Sequence, residues 1–192
     1  MRPGSRATGS ASPANFRCPR GARRSITAMS RIGDFADDDV RGWITLSPAL
    51  GGSMAAFSTA VYTRGRLPMR TRELARTVIA LENQCLVCQN TRDADGPAAG
   101  VDEDLYAHAT QWRTWPGYSE QERLAAEFAH RFSTAHTDLR ADDAFWQRAR
   151  EHFSDELLAD LALSCAMWLA MGRMLRTLDI GQSCSLTLPG RS

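Results

Sequence analysis

The chain has 192 residues, a length that fits one domain of about 150 residues with additional terminal segments. Its composition, 43% hydrophobic and 23% charged, is ordinary for a soluble globular protein. No uninterrupted apolar run approaches the ~18–20 residues that a membrane span requires. The net charge is +1, but residues 1–28 hold six arginines and no acid, which leaves about −5 on the remainder. This mildly acidic remainder argues against nucleic acid as the main partner.

The first 28 residues differ in composition from the rest of the chain. They are rich in Arg, Ser, Gly, Pro and Ala, and such a segment cannot bury enough apolar surface to offset the entropy lost on ordering. We therefore expect either a disordered tail, similar in composition to an organelle transit peptide, or a segment upstream of a translation start at Met29. The segment lacks the apolar region of a secretory signal, and we expect a cytoplasmic protein. Residues 29–180 are predicted to form the domain and residues 181–192 a C-terminal tail.

After an irregular stretch over residues 31–50, the sequence pattern is helical. The first predicted helix has an apolar face made of four residues: Met54, Phe57, Val61 and Tyr62. Pro68 suits the first turn of the next helix, predicted over Met69–Glu82. Asn83 is the expected N-cap of a third helix, which would begin with the segment Cys85–Cys88.

The later helices are marked by polar residues suited to N-caps. These residues are Asp102, Ser119, Asp142 or Asp143, and Ser154. Ser119 also begins a capping-box sequence, and the helix that follows Ser154 is predicted to be the longest, over about residues 154–178. No stretch shows the alternation typical of a strand. We therefore predict an all-α domain, a bundle of about six to eight helices packed as helical hairpins.

The chain has five cysteines, an odd number, and no secretory signal, which argues against a framework of structural disulfides. Cys165 lies among apolar residues and is expected to be a small core side chain. Cys18 and Cys184 fall in segments predicted to be tails. The close pair, Cys85 and Cys88, remains as the candidate for chemistry.

The Cys85–Cys88 pair has three interpretations. A zinc site would need further ligands, but there is no second C-x-x-C and the four histidines lack ligand spacing, so no metal is expected. Two inert core thiols are an alternative, because Leu86 and Val87 are apolar. The redox interpretation is the best supported, since a C-x-x-C at a helix start can lower the pKa of one thiol and close into a reducible disulfide.

Glu73 lies twelve residues before Cys85, on the predicted helix that precedes the pair. A carboxylate that faces inward here could accept a proton from a thiol or have its pKa tuned by burial. From spacing alone, Glu73 could equally pair with Arg70 or Arg76 on the protein surface.

The stretch ELARTVIALENQCLVCQNTR resembles the signature of the alkylhydroperoxidase D / carboxymuconolactone decarboxylase family, and the resemblance extends over about residues 31–180. It implies an all-helical AhpD-like fold that assembles as a homo-oligomer, a trimer or hexamer. It also implies that Cys88 attacks a hydroperoxide, that Cys85 resolves the product as a disulfide, and that Glu73 belongs to a proton relay. An external dithiol or protein reductant would then reduce the disulfide. No residue pattern demands a bound metal, nucleotide or flavin, so no cofactor is expected.

One position departs from the family pattern. The family has a histidine four residues after the second cysteine, where this chain has Arg92, and Val87 fills the inner position that can also be histidine. Arginine cannot exchange protons near neutral pH because its pKa exceeds ~12, but it can stabilise a thiolate or bind an anionic substrate. We therefore predict intact dithiol chemistry with weak, altered or absent peroxidase turnover. His108 could approach the site, but neither it nor the other histidines are expected to replace the shuttle.

Two other functions stay open at this stage. The same scaffold could support a carboxymuconolactone decarboxylase-like or isomerase-like enzyme in which the cysteines are incidental. Alternatively, the chain could be a non-catalytic oligomeric redox sensor whose disulfide changes its packing. The aromatic cluster over residues 112–118 is expected to be a loop that caps the core, with the wall of a substrate pocket as the alternative.

Overall fold

The computed structural model describes residues 15–17, 30–35 and 39–188, and most of this part of the chain is helical. Its α-helices are α1 (Trp43–Leu46), α2 (Pro48–Arg64), α3 (Met69–Glu82), α4 (Leu86–Gln89), α5 (Glu103–Ala107), α6 (Glu120–Thr134), α7 (His136–Arg140), α8 (Asp143–His152) and α9 (Asp155–Thr177). Its strands are β1 (Asn15–Arg17), β2 (Thr91–Asp93) and β3 (Ser185–Leu188). The predicted fold class is confirmed. The described residues hold nine α-helices instead of six to eight. The two that were not expected, α1 and α7, have only four and five residues and leave no periodic pattern.

Helix α3 is the centre of the fold and has the predicted bounds. Every residue from Thr71 to Ala80 is buried, because α6 and α9 pack against this helix. A helix enclosed in this way carries its polar side chains into the interior along with its apolar ones. Arg72, Glu73 and Arg76 are therefore taken out of water, and such buried charges need partners.

Four of the predicted N-caps are confirmed. Asp102, Ser119, Asp142 and Ser154 each accept a hydrogen bond from the backbone N–H three residues later. Ser119 also forms the predicted capping box with Glu122. Each cap satisfies an amide that the first helical turn leaves without a partner, and is typically worth about 1 kcal/mol.

The junction between α3 and α4 differs from the prediction. Asn83 ends α3 instead of beginning the next helix, and its side-chain amide donates to the carbonyl of Trp168 on α9 at 3.1 Å. Gly172 makes room for this amide, since a Cβ at that position would lie 2.5 Å from the amide nitrogen. Gln84 adopts a left-handed conformation (φ 51°) that turns the chain, and Cys85 becomes the residue that precedes α4.

The segment that follows α4 is strand β2, which belongs to a small three-stranded sheet in the order β1-β3-β2. β2 pairs in parallel with β3, with Thr91 opposite Leu186, and β1 pairs with β3 in the antiparallel sense. The expectation that no strand forms is therefore wrong for these residues. Strands of three or four residues are too short to show alternation, and their pairing is between distant segments. β1 and β3 fall within the ranges 1–28 and 181–192, which were predicted to be tails.

Helix α9 is long and apolar enough to cross a membrane by length and composition, which the sequence pattern had not led us to expect. The central helices of soluble proteins share these two properties. One face of α9 packs against α2, α3 and α6, and buries Leu161 and Trp168 together with Cys165, the core cysteine of the prediction. The opposite face exposes apolar surface, including 55% of Leu163.

Candidate active site at the cysteine pair

Cys85 and Cys88 are joined by a disulfide across α4, with their Cα atoms 5.2 Å apart. The two cysteines differ in their access to solvent. Cys85 is fully buried, whereas Cys88 is half-buried and lines a cavity. A molecule that enters the cavity therefore meets Cys88 first.

This cavity has a volume of about 420 Å³ and is mostly apolar. Its apolar wall includes Trp43, Ile44, Met167, Trp168, Met171 and Leu175. Polar groups from Tyr62, Arg76 and Thr91 also line it. Burial raises the pKa of Tyr62 to about 12, so that its hydroxyl keeps its proton at neutral pH. Such a volume, with a few polar groups among many apolar ones, is typical of small-molecule sites.

The aromatic cluster over residues 112–118 does not line this cavity. Trp112 and Tyr118 are buried in the main core, in line with the expected core-capping loop. The histidines also lie elsewhere. His108 stacks on Trp115 with ring centroids 4.4 Å apart, and Nδ1 of His130 lies 2.7 Å from the carboxylate of Glu82.

Glu73 has no exposed surface and lies between two buried arginines. Arg76 contacts carboxylate oxygen Oε2 through Nε at 3.0 Å and Nη2 at 2.9 Å, while Arg72 contacts Oε1 at 3.1–3.2 Å. The hydroxyl of Tyr106 also donates to Oε2 at 3.1 Å, and Arg72 pairs in turn with Asp93. Glu73 therefore faces inward, which was the first alternative from the sequence. It also pairs with Arg76, as in the second alternative, but this pair is buried and does not lie on the protein surface.

The Glu73 carboxylate is held in its ionised form. Burial by itself would raise the pKa of Glu73, but the positive charges of Arg76 and Arg72 outweigh burial, and the pKa is lowered. Burial raises the pKa of Tyr106, and the negative charge of Glu73 raises it further, so that the phenol stays a hydrogen-bond donor. A carboxylate with a lowered pKa and both oxygens occupied is a weak acceptor for a thiol proton. Its contribution is instead a fixed negative charge that orients Arg76.

Arg76 connects this carboxylate to the cysteine segment. Its Nη1 donates to the carbonyl of Cys88 at 2.6 Å, and its Nη2 donates to the carbonyl of Thr91 at 2.9 Å. Burial by itself would lower the pKa of Arg76, but the adjacent Glu73 carboxylate outweighs burial and raises the pKa. The guanidinium is therefore a permanent positive charge beside the Cys88 backbone. A positive charge in this place favours a thiolate once the disulfide is reduced.

Arg92, which stands where the family has histidine, is held by three sets of contacts. Its Nη1 donates to backbone carbonyls of α4 and β2, and its Nε and Nη2 donate to the Glu103 carboxylate at 2.9 and 3.0 Å. Its guanidinium also lies over the ring of Tyr106, 3.8 Å from the centroid. A chain of contacts thus runs from Arg92 through Tyr106 to Glu73, and none of its members is a histidine.

Several residues of the site were not found from the sequence. The i, i+3 spacing of Glu73 and Arg76 is visible in the sequence, but this spacing does not distinguish a buried ion pair from an exposed one. Tyr106 gave no signal, because it is 33 residues from Glu73 along the chain. Cys184, expected in a tail, is fully buried and disulfide-bonded, while Cys18 lies outside the described residues. Within the described ranges, no group of three or more His, Cys, Asp or Glu side chains could hold a metal ion.

Comparison with known proteins identifies a family segment and a fold. Residues 48–131 match the carboxymuconolactone decarboxylase family, a segment shorter than the range 31–180 over which the resemblance was seen. The segment includes Glu73, the cysteine pair and Arg92, but neither α9 nor β3. The uncharacterized protein YdfG of Bacillus subtilis is 29% identical over 93 residues, which are 48% of this chain and 63% of YdfG. The match thus spans less than two thirds of that relative.

Two solved structures share the architecture of the chain. One is a protein of unknown function, ATU0492 from Agrobacterium tumefaciens, for which a role as the antioxidant defence protein AhpD has been suggested; the match has a TM-score of 0.62 and 21% identity, over 78% of this chain and 94% of the other. The second is the alkylhydroperoxidase AhpD core of an uncharacterized peroxidase-related protein from Ralstonia eutropha JMP134. This match has a TM-score of 0.61 and 20% identity, over 80% of this chain and 97% of the other. At these identities, the likeness establishes the fold.

Proposed function

We propose that the chain, whose residues 48–131 match the carboxymuconolactone decarboxylase family and whose fold is AhpD-like, is a thiol-dependent, peroxidase-like oxidoreductase. It would reduce hydroperoxides with the Cys85–Cys88 pair. The observation that carries the proposal is the unequal exposure of a bonded pair. Cys85 is fully buried, and Cys88 opens on an apolar cavity large enough for an organic molecule.

The proposed cycle starts when an external dithiol or protein reductant gives two electrons to the Cys85–Cys88 disulfide and leaves two thiols. The Cys88 thiolate attacks an oxygen of the hydroperoxide. An S–O bond forms, the O–O bond breaks, and the departing alkoxide takes up a proton to become an alcohol. The Cys85 thiolate then attacks the sulfur of Cys88, which restores the disulfide and releases the sulfenic oxygen as water.

The charges around α4 stabilise the Cys88 thiolate, but they do little to help the proton transfers of the proposed cycle. Arg76 supplies a positive charge next to Cys88, which stabilises a thiolate. Glu73 and Tyr106 are poor at exchanging protons, because the pKa of Glu73 is lowered and that of Tyr106 is raised. The protons of the cycle would then come from water in the cavity, and we expect a low turnover rate.

The lining of the cavity suggests the class of substrate. Its apolar wall suits a hydroperoxide with an organic group better than hydrogen peroxide.

We place the reaction in the cytoplasm, where thiol reductants are available. We also propose that copies of the chain associate, since large apolar side chains are exposed on α1, α2 and α9: Leu46 (54%), Leu50 (76%) and Leu163 (55%).

Peroxide consumption by the full chain tests this function. With dithiothreitol as the reductant, we expect many equivalents of cumene hydroperoxide to be consumed per chain, and hydrogen peroxide to be consumed more slowly. The variant Cys165→Ala is the matched control, because Cys165 is the free thiol of the described residues and lies buried in the main core. One equivalent consumed without turnover would favour the redox sensor instead. No reaction of the reduced pair with either peroxide would overturn the proposal.

Replacing Arg92 by histidine is expected to raise turnover about tenfold or more, because a group that exchanges protons near neutral pH would then follow the cysteine pair. The pH dependence of the rate should gain an inflection near the ordinary histidine pKa of ~6.5. Arg92→Gln is the matched control: it removes the same contacts to Glu103 and Tyr106 but cannot titrate. An equal gain in the glutamine variant would show that release of these contacts, not proton transfer, limits the rate.

A further inference from the structure

The cavity onto which Cys88 opens also has methionine in its wall. Helix α9 contributes one face to this wall, and that face consists of five residues: Met167, Trp168, Met171, Gly172 and Leu175. A thioether sulfur is soft and polarisable, and peroxides oxidise it to a sulfoxide. A hydroperoxide that reaches Cys88 through the cavity therefore meets two other oxidisable side chains.

The two methionines of the wall differ in burial and in packing. Met167 is only 2% exposed and belongs to the main core, whereas Met171 is half-buried. Met171 packs against the main core and also against a second apolar cluster, on which Cys88 packs as well. This cysteine cluster consists of six buried residues: Val40, Cys85, Val87, Leu175, Ile180 and Cys184. Met171 is thus the more accessible of the two methionines and the one that adjoins the cysteine cluster.

We propose that Met171 is a second oxidation site of the chain, which a hydroperoxide in the cavity converts to methionine sulfoxide. The thioether sulfur attacks the terminal oxygen of the hydroperoxide, an S–O bond forms and the O–O bond breaks. The sulfur loses two electrons and the peroxide gains them, while the proton of the hydroperoxide passes to the departing alkoxide, so that one alcohol is released per sulfoxide. The inference rests on the proposed function in one respect, the entry of a hydroperoxide into the cavity, and needs no reaction of the cysteines.

Oxidation of Met171 changes the apolar wall at the place where two clusters meet. A sulfoxide is polar, and its oxygen is a hydrogen-bond acceptor that is costly to bury without a partner. Because Met171 packs against both clusters, the added oxygen disturbs their contact as well as the lining of the cavity. We therefore expect the oxidised chain to bind organic hydroperoxides less tightly, so that long exposure to a hydroperoxide limits its own consumption.

Peptide mapping by mass spectrometry tests the proposal on the full, unsubstituted chain. The chain is purified without reductant, so that the Cys85–Cys88 disulfide takes up no peroxide, and is then treated with cumene hydroperoxide. Met174 is the internal control: it is also a half-buried residue of α9 that packs against the cysteine cluster, but it does not line the cavity. We expect Met171 sulfoxide to form about fivefold faster or more than Met174 sulfoxide, because the cavity holds the oxidant beside Met171. Equal rates, or faster oxidation of Met174, would overturn the proposal.

Protection by a ligand provides a second measurement, which compares each methionine with itself. Cumyl alcohol, the product of cumene hydroperoxide reduction, is not an oxidant and suits the same apolar cavity. In excess, it should slow the oxidation of Met171 about threefold or more and leave Met69 unchanged, since Met69 is half-buried but lies outside the cavity. Oxidation of both methionines at unchanged rates, or an equal slowing of both, would contradict oxidation from within the cavity.

The result for Met171 is separable from the result for the proposed function. Because the disulfide form of the chain is used, a chain whose reduced cysteines fail to react with peroxide can still form Met171 sulfoxide, and the inference then stands alone. A chain that turns over peroxide while Met171 is oxidised no faster than Met174 keeps the proposed function and loses this inference.

Discussion

Cys88→Ser is expected to lower the rate of peroxide turnover by roughly three orders of magnitude or more, because the variant loses the proposed nucleophile. Cys85→Ser should behave differently, since Cys88 remains open to the cavity while the resolving thiol is gone. In that variant one equivalent of peroxide should be consumed and Cys88 should accumulate as a sulfenic acid. Stopped-flow measurement of peroxide, with intact-mass analysis and a sulfenic acid trap such as dimedone, separates the two outcomes.

The opposite pattern would reassign the nucleophile. A single fast equivalent in Cys88→Ser, with none in Cys85→Ser, would mean that the buried cysteine reacts first. Cys165→Ala again serves as the control for the loss of a thiol, and should match the unsubstituted chain. Equal turnover in all three variants would favour an enzyme on the same scaffold in which the cysteines are incidental.

Glu73→Gln is expected to lower the free energy of unfolding by about 3–5 kcal/mol, since it leaves two buried guanidinium groups without their shared counter-charge. Arg72 and Arg76 are 1% and 2% exposed, so water cannot take over the role of the carboxylate. Urea denaturation followed by circular dichroism measures the loss. Glu103→Gln is the matched control: its pair with Arg92 is exposed, and exposed pairs contribute about 1 kcal/mol or less.

The effect of Glu73→Gln should depend on pH. The pKa of Glu73 in the folded chain is lowered, so its stabilising contribution is fully present above the ordinary carboxyl pKa of ~4.3 and is lost as the pH falls through the folded value. The difference in unfolding free energy between the unsubstituted chain and the variant should therefore be largest near neutral pH and shrink in acid. A difference that is the same at neutral pH and in acid would show that lost packing, not lost charge, destabilises the variant.

The helical part of the fold was predictable because its signals are local. The apolar stripe of α3 and the caps at Ser119 and Ser154 each depend on residues within a turn or two of one another. Asn83 was predicted to begin a helix but ends α3. Its side-chain amide donates a hydrogen bond to the carbonyl of Trp168 on α9, which is 85 residues away along the chain. The strands were missed for the same reason: β3 is defined by its pairing with β2 and not by its own sequence.

The site was predictable in part. Cys85, Cys88 and Glu73 were found because their spacing is a recognisable pattern, and Arg92 stood out as a departure from it. The partners of these residues were not predictable. The sequence of α3 alone predicts that Arg76 is an exposed cation. Its burial follows from the packing of α6 and α9 around α3. Tyr106 joins the site, and Cys184 joins the buried apolar cluster that contains Cys85, only through the tertiary fold.

Because β2 pairs with β3, the segment that follows the cysteine pair can complete its packing only after the C-terminal part of the chain has been synthesised. The cysteine segment is made before α5 to α9, but the strand and the buried cysteine that pack beside it lie at residues 184–188. Contacts between such distant segments form late, because a long loop has to close first. Cys85 and Cys88 therefore leave the ribosome long before their cover is made. During that interval both thiols are open to oxidants and to other chains, and correct pairing depends on the reductants that surround the nascent protein.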